Sequence, residues 1–281
     1  MSMESRHKTL QIVIHVILVL LAVYTLAPLV FLLFNSFKSN NEIIASPVAL
    51  PESWSFQYIA NAIEKIHFFE ALGITFMVTF FSIVLLIVVS SFCAWAMVRS
   101  KSVLANILFM CFTAAMLVPF QSLMYPLLSL FESLGLKNIY GLVIMYGGFG
   151  LSMSVFLYHG FIKSVPASLE EAALIDGANL FQMFFKVVFP LLKGTTVTVI
   201  VLNGMWIWND YLLPFLVIGN QEGYRTLTLE LYFAKLTSGQ YGNPWELIFP
   251  AVFVTIIPIV VLYIFLQKYI VAGVAEGAVK M

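Results

Sequence analysis

Residues 166–182 read Pro166-Ala167-Ser168-Leu169-Glu170-Glu171-Ala172-Ala173-Leu174-Ile175-Asp176-Gly177-Ala178-Asn179-Leu180-Phe181-Gln182, and the run continues to Pro190. Ser168 followed three residues later by Glu171 is a capping-box pattern. Leu169 to Ile175 are mostly good helix formers. Gly177 can close that helix, because glycine enters the left-handed region without a steric cost. Asn179 with Gln182 repeats the capping pattern, and Pro190, lacking an N–H, predicts the end of a second helix. The stretch therefore predicts a helix–turn–helix. In its first helix Leu169, Ala172 and Ala173 form a small apolar stripe flanked by Glu170 and Glu171. A short helix of this kind suits a groove on another protein. It could equally pack on the helix ends around it, and spacing alone leaves both readings open.

What surrounds the stretch sets the class. Of 281 residues 61% are hydrophobic and only 10% are charged, where a soluble domain carries about 25% charged residues. Six apolar runs stand out, roughly Ile12–Phe34, Gly73–Val98, Leu104–Phe131, Ile139–Ile162, Gly194–Ile218 and Glu246–Tyr269. Each is long enough for a bilayer core of about 30 Å, which needs roughly 20 residues of helix. The expected fold is an all-α integral membrane protein with six transmembrane helices. The first run follows Arg6 and Lys8 but is too long for a signal-peptide core, and no small-residue cleavage site follows it, so it reads as an uncleaved helix.

Orientation follows from the basic residues of the connections. With the N-terminus inside, nine lie inside (Arg6, Lys8, Arg99, Lys101, Lys163, Lys186, Lys193, Lys268, Lys280) and five outside (Lys38, Lys65, Lys137, Arg225, Lys235). Both termini and the 166–190 stretch are thus expected in the cytoplasm. The expected organisation is a cytoplasmic segment 1–11, a membrane domain 12–269 and a cytoplasmic tail 270–281. The membrane domain includes a long outside connection, 35–72, with Trp54, Phe56 and Tyr58 as interface anchors, and a cytoplasmic loop, 164–193.

Several functions are excluded or disfavoured. Zero net charge offers no footprint for nucleic acid. Cys93 and Cys111 fall inside apolar runs and read as packing residues, and no Cys/His spacing suits a metal. No phosphate-binding loop occurs, since Lys193-Gly194-Thr195 runs in the wrong order, and no catalytic triad or paired-acid site is recognisable. The chain is therefore expected to carry no catalytic residue, cofactor or metal of its own. A secondary transporter would need inverted repeats and more intramembrane acids than the nearly solitary Asp210.

The pattern Glu171-Ala172-Ala173, three residues, Gly177, nine residues, Val187, one residue, Phe189-Pro190 resembles the EAA loop of ABC importer permeases. Val187 and Phe189 stand where isoleucine and leucine are usual, both changes keeping an apolar side chain. The resemblance implies that Ser168, Leu169, Glu170, Glu171, Ala172, Ala173, Asp176, Gly177 and Pro190 belong to coupling helices that dock into separate ATPase subunits, where ATP and Mg would bind. The flanks are similar to the carbohydrate-uptake branch, in particular its maltose-type second permease. The similar pieces are Val118-Pro119 with Tyr125-Pro126-Leu127, Trp208-Asn209-Asp210-Tyr211-Leu212-Leu213-Pro214, and Gly273-Val274-Ala275-Glu276-Gly277-Ala278-Val279-Lys280. Glu276 is unusual against the small residue often found there.

The resemblance further implies a second, homologous permease as partner, two ATPases, an extracytoplasmic solute-binding protein and a bacterial or archaeal plasma membrane. It implies a tail, Gly277, Ala278, Val279 and Lys280, that reaches the ATPases. A permease for a non-sugar solute such as glycerol phosphate stays open within the same family.

Residues for the translocation path come from the fifth run. Asp210 lies about 16 residues into it, or about 24 Å at 1.5 Å per residue. A lone acid on lipid would cost about 2.5–3.5 kcal/mol, so it should face protein or water. Thr196, Asn203 and Asp210 recur every seven residues with Trp206 beside them. Such a stripe suits sugar hydroxyls, and it equally suits a contact between two helices. Asn203, Trp206, Asn209 and Asp210 are the path candidates, with Gln121 from the proline-broken third run. Tyr146-Gly147-Gly148-Phe149-Gly150 weakens the fourth run, either to line a cavity or to let another helix approach. His15 and His159 have no acidic neighbour in sequence and read as structural.

Overall fold

The computed structural model describes residues 3–238 and 243–278, and all regular structure among them is helical. The elements are α1 (Met3–Asn35), α2 (Asn40–Ala45), α3 (Gln57–Lys65), α4 (Phe68–Ser100), α5 (Val103–Ala115), α6 (Phe120–Ser133), α7 (Ile139–Ile162), α8 (Ser168–Ile175) and α9 (Leu180–Met183). A π-helical turn at Phe184–Val188 leads to α10 (Phe189–Leu191), α11 (Lys193–Asn209), α12 (Leu212–Val217), α13 (Leu227–Ser238) and α14 (Trp245–Ala278). Helix is what a bilayer demands, since no water is there to satisfy a backbone N–H or C=O and a helix satisfies them internally.

Four stretches are long and apolar enough to span alone: Leu10–Asn35, Phe68–Ser100, Ile139–Ile162 and Trp245–Phe265. Two bent pairs raise the number to as many as six if each is counted as one span, the second pair starting at Leu180 within the 166–190 stretch rather than taking in the whole fifth apolar run. Val103–Ala115 and Phe120–Ser133 meet at 106°, and Leu180–Leu191 and Lys193–Asn209 meet at 76°. The first bend falls at Val118-Pro119, where Pro119 caps α6 in an extended conformation, because proline denies the preceding residue the helical region. The second follows Pro190. Its ring removes a hydrogen bond and crowds the carbonyl four residues back, and the chain upstream widens into the π-turn, the usual form of a helix with an extra residue in it.

The helices divide into two compact units. One comprises residues 1–68 and 230–258, the other 69–229 and 259–281. In the first, Ala62 of α3 and Ile66 just after it pack with Ala251 and Val254 of α14. Its long connection is folded rather than extended. Lys38 is fully buried and its Nζ donates to the carbonyls of Ser46 (2.9 Å), Ala49 (2.6 Å) and Pro47 (3.4 Å), while Asn35 Nδ2 donates to Phe31 O and Pro47 O. Trp54 and Phe56 pack edge-on against Phe37. Asn40 and α14 exchange bonds, Asn40 N–H to Glu246 Oε2 and Trp245 N–H to Asn40 Oδ1.

The second unit has its core at the end where α8 lies. Trp95, Val155, Tyr158, Ile162, Ala173, Met183, Phe184 and Val188 are buried together there. Its glycine-rich segment does not break α7. Gly147 and Gly150 instead let neighbours close in, since a Cβ on Gly147 would lie 2.5 Å from Leu85 Cδ2. His159 stacks on Phe109 at 3.6 Å between ring centres, the structural role expected of it.

Lys38→Met keeps the aliphatic stem but removes the charged donor that joins the carbonyls of Ser46, Pro47 and Ala49. Each bond to a charged donor is worth about 1.5–3 kcal/mol, so limited proteolysis should cut residues 46–51 markedly faster in this variant. An unchanged cleavage pattern would mean that Lys38 does not order the connection.

Candidate functional site

The helix–turn–helix forms where the sequence places it. Asn179 Oδ1 accepts from Gln182 N–H and Gln182 Oε1 accepts from Asn179 N–H, a reciprocal capping box. Gly177 sits at φ +81°, where a side chain would be strained. The first capping box does not form. Ala167 is the N-cap of α8, and no side chain caps it.

The expected apolar stripe of α8 is divided between two faces. Ala173 is buried together with Glu170, whereas Leu169 and Ala172 are exposed with Ser168, Glu171 and Leu174. Ile175, at the helix end, is 87% exposed. An i, i+3 pair faces inward on a helix, and here that pair is one alanine and one carboxylate. Asp176 and Pro190 are also exposed.

Glu170 is 6% exposed, and both of its oxygens are engaged. Oε1 accepts from Arg99 at 2.7 Å from Nη2 and 2.8 Å from Nε, and Oε2 accepts from Trp95 Nε1 at 3.0 Å. Arg99 Nη2 also donates to Val165 O at 3.0 Å. Trp95 is wedged against Phe92 and Phe184. Beside this cluster lies a cavity of about 450 Å³, bordered by Trp95, Arg99, Glu170, Glu171, Leu174 and Met183. Nothing local in the sequence marks Trp95 and Arg99 as partners of Glu170; they lie 75 and 71 residues away in the chain.

The polar stripe of the fifth run faces α7. Tyr158 Oη donates to Thr196 Oγ1 (2.9 Å), Asn203 Nδ2 to Ser154 Oγ (3.1 Å), and Tyr146 Oη to Asp210 Oδ2 (2.9 Å). Asn203 is buried, and a Cβ on Gly150 would stand 2.5 Å from its Oδ1. The three bonds lie along α7 from Tyr146 to Tyr158. The partners on α7 are legible in hindsight, since Tyr146, Gly150, Ser154 and Tyr158 recur every four residues.

Asp210 is not inside a helix, as the sequence suggests, but ends one. It adopts an extended conformation after α11. Its carboxylate accepts the N–H groups of Leu212 (3.0 Å) and Leu213 (3.4 Å), and its carbonyl accepts from Thr228 Oγ1 (2.7 Å). An aspartate followed by unpaired amides is a natural helix start, which is why the run splits into α11 and α12. Trp206 packs edge-on against Tyr146 at 5.4 Å and is half-exposed. Asn209 is exposed and bonds back to Met205 O, and Gln121 is exposed on α6. Val279 and Lys280 lie outside the described residues, and Gly277 and Ala278 are described only as the helical end of α14.

This arrangement holds no recognisable catalytic constellation among the described residues, and no cluster there could hold a metal. A family profile described as binding-protein-dependent transport system inner membrane component matches residues 87–276, from α4 through the helix–turn–helix to α14. The chain belongs to that family of transport permeases. It is 41% identical to the probable starch degradation products transport system permease protein AmyC of Thermoanaerobacterium thermosulfurigenes, over 93% of this chain and 94% of that one. It is 34% identical to the multiple sugar-binding transport system permease protein MsmG of Streptococcus mutans, over 95% and 96%. It is likewise 34% identical to the melibiose/raffinose/stachyose import permease protein MelC of Bacillus subtilis, over 90% and 91%. The fold matches a chain in the crystal structure of a bacterial ABC transporter involved in the import of the acidic polysaccharide alginate, with a TM-score of 0.81 over 96% of this chain and 98% of that one at 24% identity.

Gly150→Ala would gain about 1 kcal/mol of helix propensity and lose about 1–3 kcal/mol to overpacking against Asn203 and Leu86. A lowered unfolding midpoint in detergent is expected. An unchanged or raised midpoint would contradict the close approach of α7 and α11.

Proposed function

We propose that this chain forms half of the membrane pathway of an ATP-driven importer for a sugar or oligosaccharide, with a homologous permease as its other half. The observation that carries the proposal is the helix–turn–helix at Ser168–Pro190. It presents Leu169, Ala172, Leu174 and Ile175 outward while its inward face is fixed to α4. A row of exposed apolar side chains on a short, well-anchored helix suits a groove on a partner protein, and the adjoining cavity offers room for a partner side chain. In this reading the loop and both termini lie in the cytoplasm, with the inside excess of basic residues in support. Two ATPase subunits bind beneath and supply ATP and Mg, and a solute-binding protein delivers the solute from outside. The tail residues Gly277 to Lys280 are proposed to reach the ATPases.

The solutes named for the similar permeases are starch degradation products and melibiose/raffinose/stachyose, which favours an oligosaccharide here. Asn203, Trp206, Asn209, Asp210 and Gln121 remain the residues proposed for the path. Trp206, Asn209 and Gln121 have exposed side chains to offer a solute. Asn203 and Asp210 act from behind, by holding α11 and its break in place. Closure of the ATPase dimer would move α8 and α9, and the membrane helices would tilt between two arrangements biased by ATP.

Two substitutions test the reading in vesicles that contain the whole complex and a panel of malto- and galacto-oligosaccharides. Gly177→Val strains the turn by about 1–2 kcal/mol and should reduce ATP-driven uptake roughly tenfold at normal membrane insertion; full uptake would remove the turn from coupling. Asp210→Asn leaves one acceptor oxygen where two are in use, so uptake should fall more than assembly does. Wild-type uptake would take Asp210 out of the path. Uptake of glycerol phosphate in place of every sugar would reassign the solute.

A further inference from the structure

A loop between α7 and α11 has obvious levers in those two helices, because it is continuous with them. The structure assigns it a third lever that chain order does not suggest. We infer that Arg99 and Trp95 are positioning residues that lock α8 to the end of α4, so that the coupling helix and a 33-residue membrane helix move as one body. The inference rests on the importer reading above.

Three features support it. The Glu170 carboxylate is buried, and its hydrogen bonds run to Arg99 and Trp95 of α4. A buried carboxylate left without its cation is strongly unfavourable, so α8 cannot slide along α4 without breaking the pair. Arg99 at the same time holds Val165 O, in the connector that brings α7 to α8. One guanidinium thus joins α4, the connector and α8. Trp95 fixes the remaining oxygen, and its ring packs on Phe184 of the π-turn that leads into α11. The residue before the Glu171-Ala172-Ala173 pattern therefore faces its own chain. Its role is to transmit force through α4, whereas Glu171 is exposed on the outer face of α8.

The test uses the complete transporter in proteoliposomes, reading solute taken up per ATP hydrolysed. Arg99→Gln should lower that ratio at least fivefold in complexes assembled to the wild-type level. The double variant Arg99→Gln/Glu170→Gln should be no worse than Arg99→Gln alone, because the pair acts as a unit. Arg99→Lys, which keeps the charge but loses the fork, should fall between. If Arg99→Gln fails to assemble, Trp95→Phe carries the test. It removes the indole N–H and one ring but keeps an aromatic side chain against Phe184, and should lower the ratio about twofold or more. A wild-type ratio in any assembled Arg99→Gln or Trp95→Phe complex, or additive losses in the double variant, would overturn the latch. A wild-type complex that shows no ATP-driven uptake at all would instead overturn the importer reading.

Discussion

A carboxylate withdrawn from water must have its partners in place before the chain around it can settle, and Glu170 imposes that condition on one whole end of this protein. Its two oxygens fix Arg99 and Trp95 at the end of α4. Trp95 in turn defines the slot that Phe184 fills, and Phe184 belongs to the π-turn that precedes the Pro190 bend. The bend aims α11 along α7. Replacing an ion pair of this kind with apolar groups is often neutral for stability, whereas removing one member costs about 3–5 kcal/mol. The pair therefore specifies position more than it adds net stability.

Along α7 and α11 the logic is similar but softer. Interhelical hydrogen bonds in a membrane average about 0.6 kcal/mol each, so the three here supply roughly 2 kcal/mol together. That is little beside the packing allowed by Gly147 and Gly150. Their effect is on register, since each bond ties one height on α7 to one position of the 196–210 stripe. At the far end Asp210 satisfies Tyr146 and the first amides of α12, so the end of α11 and the start of α12 share a single carboxylate.

Much of this was legible in the amino-acid order, because the signals were local. Six apolar runs, the Asn179–Gln182 box, the left-handed Gly177 and the proline-broken third run all depend on residues a few positions apart. What escaped was non-local or competitive. Ser168 and Glu171 have the spacing of a cap, but the helix begins one residue earlier and burial of Glu170 decides its rotation. That rotation divides the Leu169–Ala172–Ala173 stripe. Asp210 sits in a run apolar enough to read as continuous, and only its competition for the amides of Leu212 and Leu213 ends the helix there. The folded long connection depends on Lys38, whose carbonyl partners lie 8 to 11 residues on. A basic residue in a loop carries no mark of such burial.

The helix–turn–helix at Ser168–Pro190 is proposed to engage a separate ATPase. The most direct measurement is purification of the chain from its own cell in mild detergent, with mass spectrometry of what accompanies it. The account predicts an ATPase with a phosphate-binding loop and a second permease in near-stoichiometric amounts, the ATPase being lost when the exposed face of α8 is altered. Recovery of this chain alone, folded and active in uptake after reconstitution, would contradict it.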